Sequence, residues 1–599
     1  MRETQLARPL NWPLIIGFWA FVGAGLILRH ILRTNELPFF SDADDAMRMV
    51  TALDLANGQD WQDNVQHRDN APYGALMHWS RLIDAPIAGL FLLLRPLLGA
   101  TWAADATAMI WPTMLALPLI VVSVALTRRL VGPDGDLPAI LLPMLTIVLL
   151  VEFMPGRVDH HNVQILLTGS LALATMAGRV RMWAAVAAGL LAATSIAIGG
   201  EALLLVAVSI GLFGLFWVFD PAASAAQGRA FALALAGGTL IHFLAATPPS
   251  LYLVEACDAL SITYVVATAA AAGGLLLATF IGSRLDRPWQ RLTLLAALGA
   301  ASAMVTAWHS PHCLGGPYAE MDPAVAELFF PTVTEAWPLW VRIVKAPATT
   351  LTIVGVPVIA LGMTVWIARH EEGARRIDWL VLLAFAAAAL LVATLQTRAA
   401  RLCPVFAIPA GAWLIAQSRR RYLERPDLRR AALLVFGWVL FSTSLHFAAT
   451  KALAVTGILK PEEANTEQGV ASRTSCYQRA TYAALADLPA GRVMVPMNIA
   501  TAVLYFTPHW VVGTGFHRNQ DGMRDNVTFF NGKEAEARTV AAARGIDYVV
   551  MCRGLPEIGR ARRGAPDSIA AGSQWNWLEP LSSREDDLQV FRIEEPALP

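Results

Sequence analysis

The chain has 599 residues, of which 56% are hydrophobic and 15% charged, with 46 basic against 46 acidic residues and a formal net charge of +0. Its mean hydropathy of +0.49 lies above the range of soluble domains and inside that of multi-spanning membrane proteins. Balanced charge, with the basic residues scattered along the chain, gives no footprint for a nucleic-acid partner, so charge has to be read loop by loop.

A helix needs about 20 mostly apolar residues to cross the hydrocarbon core, and fewer where a polar cavity shortens the path. About thirteen segments meet this test, at residues 12–31, 104–126, 137–153, 163–177, 182–197, 202–219, 230–246, 262–281, 292–308, 349–367, 379–395, 405–416 and 431–448. The apolar piece 87–98 is interrupted by Arg95 and Pro96, so it is expected to be interfacial or re-entrant. The first segment is too long for a removable signal peptide and lacks a small-residue cleavage site.

Orientation follows from Arg and Lys in the short loops. Alternate loops carry Arg128 and Arg129, Arg179 and Arg181, Arg229, Arg284 with Arg287 and Arg291, Arg369 with Arg375 and Arg376, and Arg419 to Arg421 with Arg429 and Arg430. These six are expected to face the cytoplasm. The opposite face then receives the long loop 32–103, the segment around Asp159, the loop around Glu255, the long loop 309–348, the short loop 395–404 and everything after 449. All five cysteines fall on or beside that face, which implies an oxidising compartment and leaves at least one thiol unpaired. Cys476 with Cys552 is the expected disulfide, with Cys257 and Cys313 as a second candidate pair. The basic residues are nearly all arginine, which points to a GC-rich bacterial genome, and hence to an inner membrane with a periplasmic outer face.

The outer loops hold the unusual chemistry. "SDADDAMR" places Asp42, Asp44 and Asp45 after the first span; they serve either as a helix start favoured by the dipole or, through one of them, as a cation ligand. "GRVDHHNVQ" places Arg157, Asp159, His160 and His161 at the lip of an apolar helix, where polar groups are costly unless they line a functional cavity. Oxygen ligands with one imidazole suit Mn2+ or Mg2+, the imidazole favouring Mn2+. "TVTEAW" carries Glu335 in an apolar setting, and "LQTRAARLCP" carries Arg398 and Arg401 against the positive-inside pattern. Such an Arg pair either grips a phosphate with its guanidinium forks or snorkels to anionic headgroups.

In this order, with "NAPYGALMHWSRLID" between the first two motifs, the sequence resembles the catalytic subunit of oligosaccharyltransferases, nearest the archaeal type with its DHH-like motif. The resemblance implies a GT-C fold, all-α and polytopic over residues 1–450, followed by a smaller α/β periplasmic domain over 451–599. It implies a metal-dependent inverting glycosyltransferase that takes a sugar or oligosaccharide from a polyisoprenyl-(pyro)phosphate donor in the membrane lipid. By the same resemblance Asp42, Asp159 and His161 are the metal ligands, Glu335 is the terminal Glu of the family's TIXE motif, contacting the acceptor near the metal, and Arg401, seconded by Arg398, binds donor phosphate. Asp44, Asp45, His160, Arg157 and Asp84 take second rank.

After residue 451 the chain is less apolar. "GRVMVP", "HWVVGT" and "IDYVVMC" read as strands and "KEAEARTVAAARG" as a helix ending at Gly545. The run from His517 is similar to the segment that follows the acceptor-recognition motif in those enzymes; His517, Arg518 and Asn519 either face the active site or form a structural turn. The recognition motif itself, WWDYG, is missing: "PMNIATAVLYFTPHW" stands in its approximate place. A sequon acceptor is therefore not expected; a glycan, a lipid or a protein hydroxyl is. A monosaccharide transferase acting on lipid A, polysaccharide or protein is the alternative. A transporter would be expected to show inverted repeats, and hydropathy displays none.

Overall fold

The computed structural model describes residues 9–33, 39–319, 321–330, 333–456, 475–552, 566–583 and 586–594. The stretch 457–474 and residues 331–332 of the Glu335 motif lie outside the described residues, and the expected boundary at 450/451 falls within the helix Thr443–Val455. Among the described residues, nine helices are long and apolar enough to cross a membrane, or ten if the pair Leu428–Phe441 and Thr443–Thr450, bent by 79°, makes one span. The chain is a multi-pass membrane protein.

All thirteen expected segments are helical, and the smaller count of full spans has physical causes. The segment expected at 137–153 divides into Asp136–Leu145 and Ile147–Glu152. Pro143 lies inside the first piece, and the Ile147 amide, at the start of the second piece, donates to Thr443 Oγ1 at 2.9 Å. Thr443 itself begins the second half of the bent pair. A side chain of one broken helix thus satisfies the backbone of another, which is how irregular backbone is tolerated inside a bundle. Met182–Ile198 is apolar but has 17 residues, and His161–Gly178 carries Asn162, Gln164 and Thr168 facing inward. Close packing elsewhere relies on small residues: a Cβ on Gly189 would lie 2.5 Å from the Phe231 carbonyl of the neighbouring helix.

The helix Arg81–Leu98 contains the expected apolar piece, with Pro86 and Pro96 inside it. Leu92, Leu93, Leu97 and Leu98 are exposed while Ile83, Ile87 and Phe91 are buried, so it is two-faced, as an interfacial helix is.

Beyond a short antiparallel pair in the first long loop, β1 (Val65–Gln66) with β2 (Ala75–Leu76), a five-stranded sheet toward the C-terminus has the order β4-β3-β5-β7-β6, built from β3 (Arg492–Met494), β4 (Trp510–Val511), β5 (Tyr548–Cys552), β6 (Leu578–Pro580) and β7 (Leu588–Ile593). β3 is parallel to β4 and β5, with Val493 opposite Val511 and Tyr548. β7 is antiparallel to β5 and β6. The three expected strands are present and the helix Glu534–Arg544 ends on Gly545 in the left-handed region, φ +59°. β6 and β7 were not expected.

The sheet shares its core with the first long loop. Met47, Val50, Met77 and Trp79 pack with Ile499, Val503 and Val511. Val511 exchanges backbone hydrogen bonds with Arg68 and Ala71 at 2.8 and 2.9 Å, and the buried Asp69 accepts from Thr514 and Asn519 at 2.6 and 2.8 Å. Burying that many apolar groups ties the sheet to the loop that carries Asp42. Cys476 pairs with Cys552, Cα atoms 6.2 Å apart, and Cys257 pairs with Cys313 at 5.2 Å; Cys403 is free and buried.

Candidate active site

The acidic start of the first loop does two things at once. Asp42 caps the helix Ala43–Ala56 by accepting from the Asp45 amide at 3.1 Å, as a carboxylate at a helix N-terminus should. Its other oxygen pairs with Arg157, which also holds Asp45 at 2.8 Å. Arg157 reaches this position through a tight turn. Gly156 has φ +86°, and a Cβ there would collide with the Phe39 carbonyl at 2.4 Å, so only glycine lets the turn approach the first loop.

Asp159 is buried beside two imidazoles. His160 Nδ1 donates to Asp159 Oδ1 at 2.7 Å, and His161 Nε2 lies 3.0 Å from Asp159 Oδ2. His161 Nδ1 lies 3.0 Å from Glu201 Oε2. With Glu201 as acceptor, Nδ1 is the donor nitrogen, and a cation would take the lone pair of Nε2. Asp159 Oδ2 then makes no hydrogen bond, and neither does Glu201 Oε1. A lone pair facing an unmet carboxylate oxygen across 3 Å is how two ligands of one cation stand, and the carboxylate behind the imidazole is the usual orienting partner. Asp159, His160 and His161 each offer a ligand atom within 4.8 Å of the others, so the residues fit a divalent cation. The set expected from the sequence differs in one member: His160 stands with Asp159 and His161, while Asp42 turns to Arg157, whose guanidinium satisfies it.

Charge in this region is uneven. Burial would raise Asp159, but the His160 and His161 rings hold it well below the usual carboxylate range. Burial, then the carboxylates of Asp159 and Asp42, push Asp44 up to about 8. Burial also opposes ionisation of Glu335, yet Arg398 and Arg401 bring it down to about 2.

Glu335 sits on the short turn Thr334–Ala336, and Thr397 donates from its hydroxyl to the Glu335 carbonyl at 3.2 Å. Its carboxylate pairs with Arg398 and, at 2.7 Å, with Arg401. Both arginines therefore turn inward onto a carboxylate instead of outward to headgroups. Arg401 also reaches Glu152 at 3.5 Å, and Glu152 holds Arg157 at 2.8 Å. One run of ion pairs thus links Asp42 to Glu335.

Two members of this assembly, Glu201 and Glu152, were not among the expected residues. Each is a lone carboxylate in an apolar run, "AIGGEALLL" and "LLVEFMPG", and the cost of a charge at that depth was the available signal. Asp84 serves elsewhere: it pairs with Arg48 at 2.8 Å and Arg81 at 3.3 Å, and so steers Arg48, whose Nη2 is 3.6 Å from Asp159. Asn519 is the structural turn, capping the helix Gln520–Asn531, whereas His517 and Arg518 face a cavity of about 360 Å³ that is also lined by Gly199, Gly200 and His78.

No protein-family model matches the chain, and no curated protein matches its sequence. Among solved structures it is similar to the oligosaccharyltransferase of Archaeoglobus fulgidus in the apo form, with TM-score 0.63 and 13% identity over 98% of this chain and 75% of that one. It is similar to the archaeal oligosaccharyltransferase AglB from Archaeoglobus fulgidus in complex with an inhibitory peptide and a dolichol-phosphate, with TM-score 0.62, 13% identity, and 98% and 75% of the two chains covered. The complex of the Archaeoglobus fulgidus enzyme with Zn and sulfate gives TM-score 0.61 and 13% identity over 98% and 74%. The chain has the GT-C fold of that oligosaccharyltransferase. The resemblance first seen in short motifs therefore extends to the path of nearly the whole chain.

Proposed function

We propose that the protein is a metal-dependent, inverting glycosyltransferase that moves a sugar or oligosaccharide from a polyisoprenyl-(pyro)phosphate donor to an acceptor other than an Asn-x-Ser/Thr sequon. The observation that carries this reading is the Asp159–His161–Glu201 arrangement, with its unmet carboxylate oxygen, a short run of ion pairs away from Arg401. The archaeal fold match, with one structure of that protein in complex with a dolichol-phosphate, supports a lipid-linked donor.

Asp159 and His161, joined by Asp42 on release from Arg157, would hold Mn2+ or Mg2+, and His160 stands in reserve. When bound, the cation neutralises charge on the leaving phosphate. Glu201 keeps His161 in the tautomer that leaves Nε2 free. Arg401 and Arg398 place fixed positive charge where the leaving phosphate gathers electrons, the preorganised kind of stabilisation expected to dominate. In the transfer the acceptor oxygen or nitrogen bonds to the anomeric carbon, the bond from that carbon to the phosphate oxygen breaks with its electron pair going to the phosphate, and the acceptor proton passes to a site carboxylate. Glu335, tied down by two arginines, orients the acceptor as a hydrogen-bond acceptor. Single displacement inverts the anomeric centre.

In place of the missing peptide-reading motif, residues Met497–Phe506 form an apolar helix with Ile499 and Val503 in the shared core. A pocket built to hold a sequon hydroxyl needs buried polar groups; this helix has neither the tryptophan pair nor the acid of WWDYG, and among its buried residues only Thr501 has a polar side chain. We place the protein in a bacterial inner membrane with the region after residue 451 as a periplasmic domain. Purified protein given a polyprenyl-linked sugar is expected to release and transfer the sugar with Mn2+ and to stop on chelation. Equal transfer after chelation would overturn the metal dependence, and efficient transfer to an Asn-x-Thr peptide that is lost on Thr→Ala would overturn the acceptor assignment.

A further inference from the structure

Three chain segments remote in sequence converge on the 360 Å³ cavity: His78 from the first long loop, Asp258 from the loop after the helix Pro221–Ala246, and His517 from the turn after β4. His517 Nε2 lies 2.7 Å from Asp258 Oδ2, and the His78 and His517 rings are 4.6 Å apart, centroid to centroid. One ligand atom from each of the three residues lies within 4.8 Å of the others. His78 Nδ1 is buried and makes no hydrogen bond. We propose that His78, Asp258 and His517 form a second divalent-cation site, of the class that takes Zn2+, with an open coordination position toward the cavity.

The donor set argues for a borderline cation. Two imidazoles and one carboxylate with room for a fourth ligand are what zinc takes when it is left open to solvent or substrate, and bonds of about 2.0–2.2 Å need only a small closure of the three side chains. Arg518 is the outer partner: its Nε reaches Asp258 Oδ2 and its Nη2 reaches Oδ1, both at 2.7 Å. A carboxylate offers about four acceptor positions, so this fork orients the group and still leaves directions for a metal, as outer partners of ligating carboxylates do. The backbone beside Asp258 is fastened by the Cys257–Cys313 disulfide, which holds the ligand at the cavity wall. Gly199 and Gly200, on the same wall, lead directly to Glu201, so a cation here would present its open position to whatever anionic or hydroxyl group enters beside the candidate active site.

The test uses the full-length protein in detergent, stripped by chelation, desalted and titrated with Zn2+, with zinc counted per chain. In a background of Asp159→Asn with His161→Ala, which disables the other candidate cation site, one zinc equivalent is expected to remain. Adding His78→Ala and His517→Ala should weaken that zinc at least 100-fold. His517→Gln, which keeps a polar side chain beside Asp258, serves where the double alanine variant fails to fold, and should weaken zinc at least tenfold. No zinc in the background protein, or unchanged zinc affinity after loss of either histidine, would overturn the site. Bound zinc is the readout, so the outcome does not depend on whether the protein transfers sugar.

Discussion

The two ends of the helical bundle use the same residue types to different effect. The helix His161–Gly178 joins them: His161 meets Asp159 at its first turn, and Met176 accepts from Arg129 Nη2 near its last. Eighteen residues rise about 27 Å. At the Arg129 end the pairs are simple, Arg128 with Asp136 at 2.5 Å, Arg129 with Asp378 at 3.0 Å and Arg420 with Asp134 at 2.7 Å, and in the last both side chains are more than half exposed. At the Asp159 end, carboxylates and guanidiniums share partners in a mostly buried run, and some acceptors and donors are left over. Exposed pairs contribute about 0–1 kcal/mol, while buried charges are expensive and persist where something uses them. The Arg129 end leaves atoms over as well, Arg129 Nε, Arg179 Nε and Thr127 Oγ1, but unmet carboxylate oxygens, Asp159 Oδ2 and Glu201 Oε1, are at the Asp159 end, and these mark a working site more than the number of charges does.

The hardest blow to this contrast falls on Asp159. Asp159→Ala and Asp42→Ala are each expected to cut transfer at least 1,000-fold, about 4 kcal/mol of barrier, with the thermal melt little changed; sugar release from a polyprenyl donor measures it, and near-normal turnover in either would make the two ends equivalent. Of similar energy but acting on stability, Cys476→Ser with Cys552→Ser opens a loop with sequence separation 76, which the chain-entropy model values at about 4 kcal/mol. Peptide mapping without reduction should recover the linked pair, and two free thiols would refute it. Next, Glu201→Ala is expected to raise the Mn2+ concentration for half-maximal activity about 10- to 100-fold, as loss of an outer partner does, with activity recovered at high Mn2+. Arg401→Lys keeps charge but loses the fork, so donor KM should rise about tenfold; if both Arg398→Ala and Arg401→Ala leave it unchanged, the inward arginines are structural. The smallest effect belongs to the opposite end, where Arg420→Ala should change stability by less than about 1 kcal/mol and leave transfer intact.

Local physics was legible in the chain without its fold. Every apolar segment long enough to be noticed is a helix, because hydropathy and helix formation are properties of neighbouring residues, and the strands at 492–494, 510–511 and 548–552 announced themselves by the same local pattern. The acid and imidazoles of "RVDHH" stood out because a buried charge is costly wherever it occurs. Tertiary structure decided what depends on partners far away in sequence. Thr443 meets the Ile147 amide across 296 residues and satisfies the backbone where an expected span breaks. Arg398 and Arg401 turn inward because Glu335, more than 60 residues earlier, is there to receive them. Asp42 goes to Arg157 and Glu201 comes to His161 for the same reason. A charged side chain settles on whichever opposite charge the fold delivers in a poorly screened interior, and a sequence lists the charges without saying which of them will meet.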